Sequence, residues 1–192
     1  MDEFLSFGLG ATLALAGVAV LRRWLGFGSQ TADHYADATP PFDMRRDLNG
    51  RVACDGVIYG PLGRVTSRFH GDFDIEWTGN IGVMRERFTY DTGTVQNREW
   101  RLTLGNDGSI RAEADDVVGA GRGTVSGNAV NLRYALRLPE DAGGHVLNVD
   151  DWMYLAPGGA IVNRSQFRKF GIKVAELVAT MHRIEDERSR AA

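Results

Sequence analysis

The sequence predicts a mainly β domain preceded by one apolar helix. Three observations carry this. Residues 51–182 are dominated by a period of two. Clusters of Gly, Asn, Asp and Pro interrupt that period at short intervals. Ahead of them, Phe4 to Leu21 reads FLSFGLGATLALAGVAVL and carries no charge.

The apolar run comes first. About 18 apolar residues is the short end of what spans a hydrocarbon core of roughly 30 Å. Trp24 and Phe27 follow where interfacial aromatics are expected. Gly8, Gly10, Ala14 and Gly17 suit a helix packed in lipid and would weaken an isolated soluble one. Asp2 and Glu3 precede the run, against the positive n-region of a secretory signal. No cysteine follows it to take a lipid. The expectation is a transmembrane anchor over 4–24. Arg22 and Arg23 follow it with no basic residue before it, so the positive-inside rule puts the downstream domain in the cytoplasm.

Residues 25–49 are polar, contain Pro40 and Pro41, and read as a linker. The β domain is expected over 50–182. Its clearest strand places Val65, Ser67, Phe69, Gly71, Phe73, Ile75 and Trp77 on one face, with Gly71 as a bend or bulge. Alternation recurs through Met84, Glu86, Phe88 and Tyr90, then Arg98, Trp100, Leu102 and Leu104. It returns through Val130 to Leu138, then Leu147, Val149, Asp151, Met153 and Leu155. Turns are expected around Gly79, Gly93, Gly108, Gly127 and Gly158. Eight to ten such strands form a meander that closes into a barrel or sandwich. Residues 171–182 fit a last strand or a short helix, and 183–192 a charged tail.

Composition narrows the function. A formal charge of -3 and a pI near 5.8 argue against a nucleic-acid binder, which would show a basic face. Cys54 is the only cysteine, so no internal disulfide forms. His34, His70, His145 and His182 show no metal-ligand spacing. Gly119-Ala120-Gly121-Arg122-Gly123 lacks the lysine and following helix of a phosphate loop. No cofactor, nucleophile elbow or catalytic cysteine is implied, and no catalytic residue is assigned.

The informative residues are polar ones on apolar faces. A three-residue turn Asp91-Thr92-Gly93 pairs Tyr90 with Thr94, and therefore Glu86 with Arg98, both inward. Asp151 lies in phase with Val149 and Met153, and a turn at Pro157-Gly158-Gly159 brings it near Asn163. Asp116 falls in phase with Ile110, Ala112, Ala114 and Val118. Glu86, Arg98, Asp116, Asp151 and Asn163 would then point inward beside Trp100 and Tyr134. These seven are the candidate ligand-binding residues. One reading is a satisfied buried network. The other is a polar floor that orients a ligand's head group in an apolar pocket. Asp115-Asp116 and Asp150-Asp151 are not dyads, because neighbours along a strand face opposite ways.

The stretches Glu86-x-Phe88-x-Tyr90-x-x-Gly93 and Arg98-x-Trp100 resemble a bacterial family, domain of unknown function 3833. So do Asp116-Val117-Val118-Gly119, Asp150-Asp151-Trp152-Met153, Asn163-Arg164 and Phe170-Gly171. The resemblance covers about residues 42–181. It implies an up-and-down, lipocalin-like antiparallel barrel and no assigned activity. Many relatives look like periplasmic lipoproteins; this chain departs from them in lacking the lipid-bearing cysteine. The expectation is a single-pass protein of the bacterial inner membrane, its barrel cytoplasmic, with periplasmic placement as the alternative. The leading function is binding of a lipid-like or other apolar small molecule. Two alternatives stand beside it: an enzyme using Glu86 or Asp151 as acid or base on a lipid-like substrate, and a non-catalytic accessory subunit of a membrane enzyme. The expected partners are the lipid bilayer, a lipid-like ligand and a membrane-protein partner, not nucleic acid.

Overall fold

The computed structural model describes residues 25–184 together with Gly10, Thr12, Gly17, Val18 and Val20. Ten antiparallel strands follow one another in sequence. They are β1 (Gly50–Tyr59), β2 (Val65–Thr78), β3 (Ile81–Tyr90), β4 (Val95–Leu104) and β5 (Ser109–Glu113). Then come β6 (Gly121–Ser126), β7 (Ala129–Arg137), β8 (Val146–Leu155), β9 (Ile161–Lys169) and β10 (Ile172–Arg183). Each pairs with its neighbour in sequence, and β1 pairs with β10, so the sheet closes into a barrel without an edge. Residues 171–182 therefore resolve as strand. They are the staple that shuts the barrel, from Val52 opposite Arg183 to Tyr59 opposite Glu176.

The alternation fixes the inner face. In β2, Phe69, Gly71, Phe73 and Ile75 are buried, and the residues between them are exposed. Gly71 is neither bend nor bulge: β2 keeps its register there, opposite Cys54 and Phe88. Its missing side chain makes room for Phe73, whose Cε1 would lie 2.7 Å from an added Cβ. Gly123 in the glycine-rich stretch does similar work for backbone, because a Cβ there would run into the Asn131 carbonyl on β7. That stretch forms β6, not a phosphate loop.

An up-and-down meander puts alternate turns at opposite ends. The turns after β2, β4, β6 and β8 mark one end; those after β1, β3, β5, β7 and β9 mark the other. The first end is plugged. A single helical turn, Met44–Asp47, is capped by Asp43, which accepts from the Arg45 amide. Phe42, Met44 and Leu48 are buried in the barrel core, and the Trp77 indole donates to the Leu48 carbonyl at 2.7 Å.

The stretch that reads as a linker thus packs as a strap and a plug. Turns at Phe27–Ser29 and Ala32–Tyr35 lie on the outer wall. The Tyr35 ring sits 5.3 Å from Trp152 and 5.5 Å from Tyr154. Gln30 Oε1 accepts from the Tyr154 hydroxyl at 2.6 Å, and the Ala32 carbonyl accepts from Ser126 at 2.7 Å. Asn131, Trp152, Gln166 and Glu176 are buried although they face away from the cavity side of their strands.

Gly10, Thr12, Gly17, Val18, Val20 and Leu25 are helical. Among the described residues no helix is long and apolar enough to cross a membrane. The anchor expected over 4–24 lies for its greater part outside the described residues, as does the tail beyond Ile184.

Candidate functional site

The barrel is not filled by its side chains. A cavity of about 790 Å³ runs from Met44 and Leu48 at the plug to Leu138, Pro139 and Phe167 near the open end. A polar belt crosses it halfway up; the wall below is apolar, and the wall above mixes apolar residues with Asp115, Arg137 and Glu140. All seven residues expected inward from sequence line it: Glu86, Arg98, Trp100, Asp116, Tyr134, Asp151 and Asn163.

Strand register explains the first half of the belt. The β3–β4 turn closes through Tyr90 and Thr94, with the Gly93 amide donating to the Tyr90 carbonyl at 2.8 Å. Gly93 has φ of 83°, a conformation glycine adopts without a Cβ clash. Glu86 then falls opposite Arg98, as expected. The guanidinium, however, turns to Asp116, not to Glu86. Its Nε and Nη2 donate to Asp116 Oδ1 at 3.0 and 2.9 Å. It also lies over the Trp100 ring, 4.1 Å from the centroid, and 5.6 Å from that of Tyr134. Glu86 is left 8 % exposed, with Oε2 lacking any hydrogen-bond partner.

Asp116 reaches the cavity by a route that the alternation did not describe. Strand β5 ends at Glu113, and Asp116 sits in the loop that follows. The Val117 amide donates to the Ala114 carbonyl and turns the chain, so Val117 is buried and Val118, expected inward, is exposed.

The second half of the belt is built on β8 and β9. Asp151 lies opposite Ser165, and Met153 opposite Asn163. Asp151 Oδ1 accepts from Asn163 Nδ2 at 2.5 Å and from the Ser165 hydroxyl at 2.7 Å. Asp150 faces the other way and accepts from Asn131 and Arg133 on the outer wall. Ser165 was missed in the sequence although it stands two residues beyond Asn163, in phase with it; a serine on a strand face gives no charge signal. Gln96, which accepts from the Tyr90 hydroxyl at 3.0 Å and lines the cavity, was missed for the same reason; Tyr90 itself is on the inner face expected from the alternation.

The electrostatics follow from burial. Burial pushes the Glu86 carboxyl up to about 7; Arg98 and a hydrogen bond from Trp100 oppose this, while Asp151 and Asp116 add to it. Burial also raises Asp151, against the hydrogen bonds from Ser165 and Asn163. Burial works against the Arg98 charge, but Tyr134, Glu86 and Asp116 outweigh it and raise its pKa. Cys54 lies on the same wall, and burial pushes its thiol up to about 12, so it is inert as a nucleophile at neutral pH.

Glu86 gives a pH dependence with a definite sign. An acid whose pKa is higher folded than unfolded binds more protons when folded. The pH-dependent penalty of its carboxyl is therefore absent below pH ~4.5, and stability falls as pH rises from there through about 7. The full loss is on the order of 3 kcal/mol. Glu86→Gln is expected to remove that slope. Urea denaturation at pH 5 and pH 8 should find the variant more stable than the parent at pH 8 and close to it at pH 5. Equal differences at both pH values would show that Glu86 is not the buried acid described.

Among the described residues no group of His, Cys, Asp and Glu is arranged to hold a metal ion.

Comparison with known proteins agrees with this architecture. The family model described as Protein of unknown function (DUF3833) matches residues 22–183. No curated protein sequence matches the chain. Several solved structures share the fold, two of them as follows. An S-type phycobiliprotein lyase, CPES, from Guillardia theta superposes with a TM-score of 0.54 at 9% identity, covering 73% of this chain and 90% of that one. Rv2717c from M. tuberculosis superposes with a TM-score of 0.55 at 17% identity, covering 78% of this chain and 100% of that one.

Proposed function

The chain belongs to the family described as Protein of unknown function (DUF3833), and we propose that its barrel binds one amphipathic small molecule, donor head inward and apolar part toward the open end. The cavity, with one unpartnered oxygen of Glu86 in its belt, carries this reading. About 790 Å³ is within the range of sites that enclose a single small molecule. Its wall is apolar toward the plug, and toward the open end Leu136, Leu138, Leu147 and Phe167 leave an apolar path that suits a hydrocarbon chain.

The charges select the head group. The belt holds three carboxylates, Glu86, Asp116 and Asp151, and one guanidinium, Arg98. Arg98 is already committed to Asp116, and Asp151 already accepts from Asn163 and Ser165. Glu86 Oε2 has no donor. A buried carboxylate oxygen without a donor is costly. An ammonium, hydroxyl or amide group would supply that donor; a fatty-acid carboxylate would bring a further negative charge. Near the open end, Arg137 and Glu140 offset each other and Asp115 adds one more negative charge to the lining.

The probes are decylamine, decanol and decanoic acid, read by thermal shift of the full chain at pH 8. The expected order of stabilisation is amine, then alcohol, then acid. Glu86→Gln is expected to erase the advantage of the amine. Tightest binding of decanoic acid would overturn the proposal.

The membrane reading supplies the source of such a ligand. The uncharged run Phe4–Leu21 anchors the chain, and Arg22-Arg23 hold the barrel on the cytoplasmic side. A barrel tethered beside lipid meets its ligand at a raised effective concentration. Protease access to residues 25–49 in sealed vesicles tests the orientation.

One observation favours a second reading. A carboxyl pushed up to about 7 inside a cavity is poised for acid–base chemistry near neutrality, so Glu86 would serve an enzyme as general base. Asp151 is the less suited of the two, because two donors already hold its oxygen. Recovery of a bound ligand chemically unchanged after incubation supports the binder; Glu86-dependent conversion supports the enzyme.

A further inference from the structure

We propose that the open rim of the barrel is a bilayer-docking surface, seated through the apolar tips of two neighbouring hairpins. The two ends of the barrel differ in exposed apolar side chains, and the largest at the open end cluster on two hairpins. Leu62 in the β1–β2 turn is 87 % exposed; Phe170 and Ile172 at the β9–β10 turn are 90 % and 69 % exposed. At the plugged end, the large apolar side chains exposed among the described residues are Ile81, Val162 and Ile184, none above 41 %. Since β2, β1, β10, β9 and β8 are consecutive around the barrel, the two tips and Val146 at the start of β8 form one arc.

The β9–β10 tip is built at a cost that water does not explain. Lys169 pairs with Ile172, so the loop is two residues long, and both Phe170 and Gly171 have positive φ. Such turns ordinarily carry Asn, Asp or Gly first. Here a phenylalanine takes that strained position and projects almost wholly into solvent. Cations flank the apolar side chains: Arg64 beside Leu62, and Lys169, whose Nζ lies 5.6 Å from the Phe170 ring. An aromatic with a neighbouring cation is what an interface between headgroups and acyl chains accommodates.

The course of the N-terminal chain argues for a bilayer as the occupant. Gly28 lies against the Arg168 guanidinium, which in turn donates to the Gly171 carbonyl at that same hairpin. From there the strap descends the outer wall to Gly127 at the plugged end. Phe27 lies 4.8 Å from the Arg164 guanidinium and Gly28 lies against that of Arg168, so the described chain enters the strap along β9, the strand that ends at the Phe170 tip. Docked in this way, the cavity opens toward lipid rather than water.

This inference rests on the membrane reading above, and the test separates the two. The full chain carrying Phe170→Cys, Leu62→Cys or, at the plugged end, Asn106→Cys is labelled with an environment-sensitive fluorophore. It is then reconstituted with vesicles of phosphatidylcholine and phosphatidylglycerol. Cys54 is buried and does not react. All three positions are exposed turn residues, so folding is not at stake. The expected result is a blue shift, and quenching by lipid-borne nitroxide, at Phe170 and Leu62 but not at Asn106. Vesicle flotation with no quenching at the rim overturns rim docking and leaves the anchor standing. Failure to float with vesicles overturns both. A blue shift without lipid quenching would show that a protein partner covers the rim, and also overturns the proposal.

Discussion

Replacing Arg98 with methionine is expected to cost about 3 kcal/mol at pH 7.5, which is the usual scale for removing one partner of a largely buried ion pair. Arg98 is the one cation of the belt. Without it Asp116 loses its donors, and Glu86 and Asp151 face another carboxylate with nothing between. The packing over Trp100 is kept by the methionine, so the loss isolates charge from volume. The deficit relative to the parent should shrink toward pH 5, where the carboxyls take up protons. Arg98→Met combined with Asp116→Leu should recover much of the stability, because both charged groups are then gone. Urea denaturation at the two pH values checks all three statements. A deficit independent of pH would mean that Arg98 acts through packing alone.

Gly127→Ala is expected to cost about 3 kcal/mol, or roughly 6–12 °C in Tm. Gly127 has φ of 50°, and an added Cβ would overlap the Tyr35 carbonyl oxygen and lie 3.0 Å from that of Ala38. These are backbone atoms and cannot rotate away. The strap would lift, and with it the bond from the Phe42 amide to the Gly127 carbonyl. Phe42, Met44 and Leu48 would then lose their seat in the barrel. Hydrogen exchange should rise through residues 30–48 and little elsewhere. Gly159→Ala is the control. Its φ is 82°, with nothing within 4 Å of the new Cβ, so it should cost only about 1 kcal/mol of backbone strain. Equal losses in the two variants would contradict the role given to the strap.

The contrast between these two sites shows what a sequence displays. Glu86 and Arg98 are legible because alternation and turn chemistry fix register: a glycine three residues into a tight turn sets Tyr90 opposite Thr94, and every pair below follows. The closed meander is legible for the same reason. The orphaned Glu86 oxygen is not, because which carboxylate captures a guanidinium depends on a loop, 114–117, that breaks the period. Gly71 reads as a bulge because a glycine in a strand is ambiguous: it serves either backbone or a neighbour's ring, and here Phe73 decides. The strap is hidden more thoroughly. Its Gln30, Tyr35 and polar neighbours look like a solvated linker, yet they bury the outer face of Trp152. Nothing periodic announces a segment that packs through turns.

The cavity changes what the polar belt means. A satisfied network would have paired Glu86; instead its unpaired oxygen belongs to a residue lining an open volume. Native mass spectrometry of the full chain, purified from its expressing cells in mild detergent, tests this directly. A bound amphiphile is expected at one per chain, with a donor-bearing head and a reduced occupancy in Glu86→Gln. Ligand-free protein in every extraction, or a retained fatty acid indifferent to Glu86, would contradict it.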